Sequence, residues 1–164
     1  MKLAAQNEIG IEPRLMACIP AYNKPDELER LLNSITNSNR KVDLVLIVDN
    51  SNEPHLDDNR ALVARYPDNF VYFRNQNRLK GCAQAFRIGM EKFLETDYDL
   101  LLLLDQDGMI GADSIEKYVE YSREADIIVP KIRNIDTKST NAVGLLPSKI
   151  TGFAKTYATD AEPG

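Results

Sequence analysis

Apolar residues in this chain are concentrated in five short runs, which are separated by longer stretches of mixed composition. Runs of this length between turn-forming residues are typical of buried strands. They predict strands at 14–19, 42–48, 70–73, 100–104 and 127–129. The fourth run consists of five consecutive leucines, so we expect it to be a fully buried central strand.

Between these runs, apolar residues recur at spacings of three and four, which is the pattern of one buried helix face. Helices are predicted to begin near Asp26, near Gly81 and at Asp113 or Ser114, and a weaker helix should span 56–66. The first helix should bury Leu28, Leu31, Leu32 and Ile35. The helix that begins near Gly81 should bury Cys82, Phe86, Met90, Phe93 and Leu94.

The alternation of strand and helix predicts the α/β class, with a Rossmann-like, mostly parallel sheet and helices on both of its faces. Ligands of such sheets bind outside the carboxyl ends of the strands, where the strand order reverses. Polar, turn-rich segments follow four of the predicted strands, at 20–23, 49–52, 74–81 and 105–108. The sequence therefore predicts one ligand site at this edge of the sheet.

Two aspartates, Asp105 and Asp107, directly follow the leucine run. If the chain is extended there, alternate side chains point the same way, so both carboxylates share one space and Gln106 faces elsewhere. Two carboxylates at this separation repel unless a cation or donors compensate them, which makes a hard divalent ion the natural occupant. The alternative is that both are simple turn residues, with Gly108 ending the turn.

Two residues after other strands have the chemistry to recognise a nucleotide base. Asp49 ends the second predicted strand, where it could accept an N–H from a base edge or could close an Asx turn. Tyr22 offers a flat ring that could stack on a base or could cover the rim of the core.

A basic segment precedes the helix that begins near Gly81. Arg74, Arg78 and Lys80 suit a phosphate, because a helix N-terminus adds unpaired N–H groups to their charge. The alternative is that they form an ordinary solvated surface. Gly81 would permit tight entry into the helix or the close approach of a ligand.

Composition narrows the class of protein. The chain has 164 residues, 43% apolar and 27% charged, which fits one soluble domain with a single core, and its net charge of −5 argues against a nucleic-acid binder. No apolar stretch approaches the ~18 residues of a membrane span. Residues 1–13 should form a flexible arm, and they lack the apolar centre of a signal peptide. Cys18 and Cys82 should be reduced thiols, and His55 a surface residue. These features predict a cytoplasmic protein.

Four motifs resemble, in order and approximate spacing, those of family 2 glycosyltransferases. They are IPAYN at 19–23, VDNSN at 48–52, the spaced residues Asn77, Gly81, Ala85 and Gly89, and LLLLDQDG at 101–108. The DQD triplet is most similar to the rhamnosyltransferase branch. The segment GCAQAFRIG at 81–89 resembles the Gly-rich segment of galactofuranosyltransferases. The resemblance covers 14–132, the expected domain that would bind a nucleotide sugar.

The resemblance implies a glycosyltransferase-A fold that binds a nucleoside-diphosphate sugar together with Mg²⁺ or Mn²⁺. The donor-binding residues that it implies are Pro20, Ala21, Tyr22, Asn23, Asp49, Asn50, Arg78, Gly81 and Asp105. Within this set, Asp49 would bond the base, and Asp105 would lie near the ribose, the sugar and the cation. Asp107 would ligate the cation that bridges the diphosphate.

The resemblance also implies the reaction. The metal and basic side chains would stabilise the departing diphosphate, and transfer to a hydroxyl of a glycan or lipid-linked acceptor would invert the sugar. Such enzymes often build surface polysaccharides, which would place the protein at the inner face of the membrane. No residue of this chain matches the family's catalytic base.

Some features depart from the family pattern. Leu79 and Lys80 are two extra residues before Gly81, and Arg87 stands where Asn is frequent. Family members continue with an acceptor-binding half, which nothing in 133–164 matches. We therefore expect 133–164 to be an incomplete C-terminal extension of a truncated fold. By itself, this chain would then hold the donor-binding half and be inactive.

Two other functions compete with this hypothesis. A leucine run followed by DxDG is also found in phosphohydrolases of the haloacid dehalogenase type, in which Asp105 would be the nucleophile. A noncatalytic module that binds nucleotide sugars, or an interaction domain with the same fold, is the other alternative.

Overall fold

The computed structural model describes residues 12–76 and 81–130, together with the backbone of 132–133 and 140–141. The described elements are β1 (Leu15–Ala21), α1 (Pro25–Thr36), β2 (Leu44–Asp49), α2 (His55–Val63), β3 (Phe70–Arg74), α3 (Cys82–Leu94), β4 (Leu100–Leu103), α4 (Ser114–Tyr121), β5 (Ile132–Arg133) and β6 (Thr140–Asn141). The chain divides into two compact units between Val119 and Glu120.

The parallel sheet of the first unit has the strand order β3-β2-β1-β4. On one side β1 pairs with β2, from Met16 opposite Leu44 to Ala21 opposite Asp49, and on the other side it pairs with β4. All residues of β1 are buried. The predicted α/β fold with a parallel sheet is confirmed.

The strand order reverses at β1. The chain runs outward from β1 through β2 to β3, and α3 then leads it back to β4 on the opposite side of β1. The carboxyl ends of β1 and β4 are therefore neighbours at the switch point, where ligands of such sheets bind.

Helices cover both faces of the sheet, as predicted. On one face, Leu15, Ala17 and Ile19 of β1 pack in a core with the buried side of α1, namely Leu28, Leu31, Leu32 and Ile35. On the other face, Met16 and Cys18 pack with residues of α3. The four residues predicted for the buried side of α1 are thus confirmed.

The predicted buried face of α3 is wrong in part. The helix buries Ala85, Ile88 and Gly89, while Leu94 is 80% exposed. Cys82 and Met90 are also exposed, and Phe86 and Phe93 pack partly buried against the core. The physical reason is close approach: a Cβ on Gly89 would lie 2.7 Å from the Cβ of Cys18. Small residues therefore face the sheet where the pattern of large apolar residues predicts bulky ones.

Among the residues that the structure describes, the leucine run does not form a central strand. Strand β4 lies at the edge of the described four-stranded sheet, with Leu100, Leu101 and Leu102 partly buried and Leu103 exposed. The apolar run alone does not distinguish an edge strand from a central one, because that depends on which strands pair with it. The strand also ends at Leu103, two residues before Asp105.

The strand predicted at 127–129 is absent, and these residues are described as irregular backbone. Ile127 is 82% exposed, and no described strand pairs with this segment. A short apolar run becomes a strand only where a partner completes its hydrogen bonds. The two-residue strands β5 and β6 pair antiparallel later in the chain. None of the described helices is long and apolar enough to cross a membrane.

Candidate functional site

A cleft of about 620 Å³ opens at the carboxyl ends of β1 and β4. Its volume lies within the ~300–1,000 Å³ that is common for small-molecule sites. The residues that line it are Pro20, Tyr22, Lys24, Glu27, Asn50, Gly81, Cys82, Asp105, Gln106 and Asp107. The structure therefore brings together six of the residues named from the sequence, and adds Lys24, Glu27, Cys82 and Gln106.

The loop after β1, residues 22–24, presents the ring of Tyr22, which is 54% exposed. Asn23 adopts a left-handed backbone conformation with φ of 51°, which Asn tolerates better than most residues. Its N–H donates to Ser51 Oγ at 2.8 Å, and its Oδ1 accepts from the N–H of Asn52 at 2.9 Å. These bonds join the Tyr22 loop to the loop after β2.

The turn after β4 presents two exposed carboxylates, those of Asp105 and Asp107. The N–H of Gly108 donates to the carbonyl of Asp105 at 3.0 Å and closes the turn. The thiol of Cys82 lies 3.5 Å from Asp105 Oδ1. Although Cys82 is exposed as a residue, partial burial of its sulfur in the cleft raises the pKa of the thiol to about 11, and the neighbouring Asp105 adds to the shift. Cys82 is therefore a protonated, weak donor to this carboxylate.

The two aspartates fit a hard divalent cation that arrives with a phosphate ligand. Their oxygens are exposed on the cleft, and carboxylate oxygens are the ligands that Mg²⁺ and Mn²⁺ prefer. No group of three or more His, Cys, Asp or Glu residues in the described part of the chain could hold a metal by itself. A bound cation would therefore complete its shell with phosphate oxygens and water.

Lys24 adds a positive charge to the cleft that the sequence reasoning missed. Its Nζ pairs with Glu27 Oε1 at 2.8 Å. This bond raises the pKa of Lys24, and the charge of Asp107 contributes to the same shift. The ammonium group stays charged near the turn and can reach a phosphate. The only sequence signal was its position in the polar segment after β1.

Gln106 corrects another expectation. It does not face away from the aspartates, because residues 105–107 form a turn and the side-chain alternation of a strand does not extend to them. Its amide reaches the Tyr22 loop, donating to the carbonyl of Lys24 at 2.6 Å and accepting from the N–H of Tyr22 at 2.5 Å. No sequence signal marked these contacts.

Asp49 lies beneath the cleft, with none of its surface exposed. Its carboxylate accepts hydrogen bonds from the N–H of Ser51 at 2.8 Å, Asn59 Nδ2 at 3.1 Å and the Tyr72 hydroxyl at 2.9 Å. Asn59 also donates to Ser51 Oγ at 3.1 Å. The Asx turn considered from the sequence is present, and the bond to a base stays a prediction. Asn59 and Tyr72 were missed because their contacts join distant parts of the chain.

Asn50 and Gly81 form the wall next to α3. Asn50 Nδ2 donates to the carbonyl of Gly81 at 3.3 Å, and Asn50 Oδ1 accepts from Asn75 Nδ2 at 2.7 Å. Gly81 has φ of 121°, which L side chains rarely adopt, and it directly precedes α3. The N-terminus of α3 therefore begins at the cleft.

The remaining predicted residues lie elsewhere. Ala21 is fully buried at the end of β1, and Arg74 pairs with Glu53 at 3.7 Å without lining the cleft. Arg78 and Lys80 lie outside the described residues, so their predicted contact with a phosphate stays a prediction. The His55 side chain is 38% exposed, at the start of α2.

A parallel sheet with a cleft at its switch point is typical of nucleotide-binding α/β proteins, and the fold of this chain is similar to the glycosyltransferase-A type. The comparison with protein families agrees: the pattern described as glycosyl transferase family 2 matches residues 16–160. The chain belongs to this family.

Two glycosyltransferases of known name are similar in sequence to this chain. The chain is 26% identical over 130 residues to the undecaprenyl-phosphate mannosyltransferase of Micrococcus luteus, an alignment that covers 78% of this chain and 52% of the relative. It is 30% identical over 92 residues to the galactofuranosyltransferase GlfT1 of Mycolicibacterium smegmatis, which covers 56% of this chain and 29% of the relative. The chain thus spans about half the length of the first relative and less of the second.

Among solved structures, the fold is similar to that of the mannosyltransferase PcManGT from Pyrobaculum calidifontis, determined in complex with GDP-Man and Mn²⁺. The TM-score is 0.57 at 20% identity, over 68% of this chain and 32% of that one. At this identity, the likeness supports the fold.

Proposed function

We propose that this chain binds the nucleoside diphosphate of a sugar donor in the cleft and takes part in transferring the sugar to a hydroxyl group. The observation that carries the proposal is that Tyr22, Asp105 and Asp107 line one cleft. An aromatic ring and a pair of carboxylates are the two features that a base and a cation-bound diphosphate require. Membership of glycosyl transferase family 2 supports the same donor class.

In this proposal, each residue of the cleft contacts a different part of the donor. Tyr22 stacks on the base, Asp105 faces the ribose and sugar, and Asp107 holds Mg²⁺ or Mn²⁺ with help from Asp105. Lys24 contributes a charge to the diphosphate. When bound, the cation offsets the negative charge that develops on the departing diphosphate. We propose 14–132 as the donor-binding domain.

We also make more specific proposals about the donor sugar, the acceptor and the stereochemistry of the transfer. The DQD triplet supports a rhamnose donor, while the names of the relatives make mannose and galactofuranose the alternatives to test. We propose an inverting transfer to a glycan or lipid-linked acceptor, at the inner face of the membrane. The name of the M. luteus relative, which contains undecaprenyl phosphate, supports the lipid-linked class.

Replacing Asp107 tests the donor site. UDP, GDP and dTDP are titrated with and without Mn²⁺, and binding is measured by isothermal titration calorimetry. For the diphosphate that binds, we expect Mn²⁺ to strengthen binding, and Asp107→Asn to weaken the Mn²⁺-dependent binding by about tenfold or more, because one charged ligand of the cation is lost.

The matched control is Asp68→Asn, which makes the same change at an exposed aspartate that does not line the cleft. It should bind like the wild type. Binding of none of the three diphosphates would contradict the proposed function. Metal-dependent binding that survives Asp107→Asn would contradict the role of Asp107. A beryllofluoride adduct on Asp105 would instead support the phosphohydrolase alternative, which the family assignment disfavours.

A further inference from the structure

Gln106 links two separate parts of the cleft wall. Its side-chain amide accepts from the N–H of Tyr22 at 2.5 Å and donates to the carbonyl of Lys24 at 2.6 Å. These partners precede Gln106 by 84 and 82 residues. One side chain of the turn after β4 therefore holds both ends of the short loop after β1.

A side-chain amide matches this pair of backbone groups. Gln presents an acceptor and a donor side by side at the end of one side chain. A carboxylate at position 106 could accept from Tyr22 but would face the carbonyl of Lys24 without a proton to share. A Lys could donate to that carbonyl but could not accept from Tyr22. The geometry thus explains why a neutral amide stands between Asp105 and Asp107.

The Tyr22 loop is anchored on its other side as well. Ser51 accepts from the N–H of Asn23, and Asn52 donates its N–H to Asn23 Oδ1. Those bonds connect the Tyr22 loop to the loop after β2, whereas the bonds of Gln106 connect it to the turn that carries the carboxylates. We call the Tyr22 loop the aromatic half of the cleft, and the turn with Asp105 and Asp107 its acidic half. In the described part of the chain, Gln106 provides the side-chain hydrogen bonds between these two halves.

We propose that Gln106 is a positioning residue that fixes the distance between the ring of Tyr22 and the carboxylates of Asp105 and Asp107. The inference rests on the proposed function, since it assigns the ring to the base and the carboxylates to the cation-bound diphosphate. A ligand that spans both halves depends on their separation. A ligand that contacts the acidic half alone does not.

This difference defines the experiment. Gln106→Met keeps a side chain of similar length and removes both hydrogen bonds. The full chain is titrated with two probes in the presence of Mn²⁺: the nucleoside diphosphate that binds the wild type most tightly, and inorganic pyrophosphate. Gln84→Met is the matched control, because the Gln84 amide accepts a bond from Arg87 within α3 and does not line the cleft.

We expect Gln106→Met to weaken binding of the nucleoside diphosphate about tenfold, because the ring and the carboxylates are no longer held at a fixed separation before the ligand binds, and to change pyrophosphate binding less than twofold. Gln84→Met should change neither. Amide exchange of Tyr22 in the free protein should accelerate in Gln106→Met, because its N–H loses its acceptor.

Three outcomes would overturn the inference. Unchanged binding of the nucleoside diphosphate would show that the separation does not depend on Gln106. Equal weakening of both probes would show that the residue supports only the acidic turn. Unchanged exchange at Tyr22 would show that the bonds are not maintained in solution. A wild type that binds pyrophosphate but no nucleoside diphosphate would instead contradict the proposed function, and the inference with it.

Discussion

At the scale of single residues, the polar groups beneath the cleft matter as much as those that line it. The Asp49 carboxylate is fully buried, and three donors surround it. A buried charge is stable only when hydrogen bonds replace its lost hydration. Ser51 belongs to the same cluster and accepts from the Tyr22 loop. The stability of this cluster and the shape of the cleft are therefore connected.

Tyr72→Phe tests the cluster without changing the shape of the side chain. It removes the hydroxyl that donates to Asp49. We expect the free energy of unfolding to fall by about 1.5–3 kcal/mol, the range for a hydrogen bond to a charged group. Urea denaturation measures the change.

The control for this substitution is Tyr66→Phe. The Tyr66 hydroxyl donates to the neutral Asn33 Oδ1, in an exposed bond. Removing it should cost about 1 kcal/mol or less. Equal losses for the two variants would contradict the role assigned to the buried carboxylate.

Cys82 gives a pH-dependent prediction. Because burial and the neighbouring Asp105 raise the pKa of its thiol to about 11, the reactive thiolate is scarce at neutral pH. Alkylation by iodoacetamide should be slow at pH 7 and accelerate about tenfold per pH unit up to pH 10, in proportion to the thiolate fraction.

Mass spectrometry of labelled peptides would follow this reaction. Cys18 is an internal control, since burial raises the pKa of its thiol to about 12 and leaves it without exposed surface. A bound nucleoside diphosphate should slow labelling of Cys82, because the thiol lines the cleft. Rapid labelling at pH 7 would contradict the protonated state.

At the scale of secondary-structure elements, the packing of α3 on β1 depends on a missing side chain. Gly89 faces Cys18, and a Cβ at Gly89 would overlap that residue. Helices usually gain stability when Gly is replaced by Ala, by about 1 kcal/mol in an exposed interior position. In this helix, close packing against Cys18 should make the same replacement destabilising instead of stabilising.

Gly89→Ala should therefore lower the free energy of unfolding by about 1–3 kcal/mol, the typical cost of overpacking a core. Thermal or urea denaturation measures it. Met90→Ala, on the exposed side of the same helix, should stay within about 0.5 kcal/mol of the wild type. A more stable Gly89→Ala variant would show that α3 can shift away from β1.

These elements also show what sequence reasoning can and cannot predict. The buried side of α1 was correct because large apolar residues at helical spacing define it. The prediction for the buried side of α3 was partly wrong because Ala85 and Gly89 are small residues. They are buried because they let the helix pack closely against β1, which a search for large apolar residues does not detect. The orientation of Gln106 was wrong because β4 ends two residues before Asp105, which hydrophobicity does not show.

At the scale of the whole molecule, the strand order explains why the site forms. Alternating patterns predict a parallel sheet, but they do not predict that β4 pairs with β1, which makes the loop after β1 and the turn after β4 neighbours. The motifs indicated which strand ends carry chemistry. Tertiary contacts such as that of Gln106 with Tyr22 join residues 84 positions apart, and a single sequence has no local signal for them.

Strand β1 is paired on both sides and wholly buried, so its backbone has little freedom to adapt to a different ligand in the cleft. The cleft can therefore change its shape and charge mainly through the side chains at its rim. Engineering a new donor preference should therefore begin with a small library at Tyr22, Lys24 and Glu27, and leave the strand untouched. Because these three side chains lie outside the buried strand, substitutions there change the surface of the cleft without repacking β1.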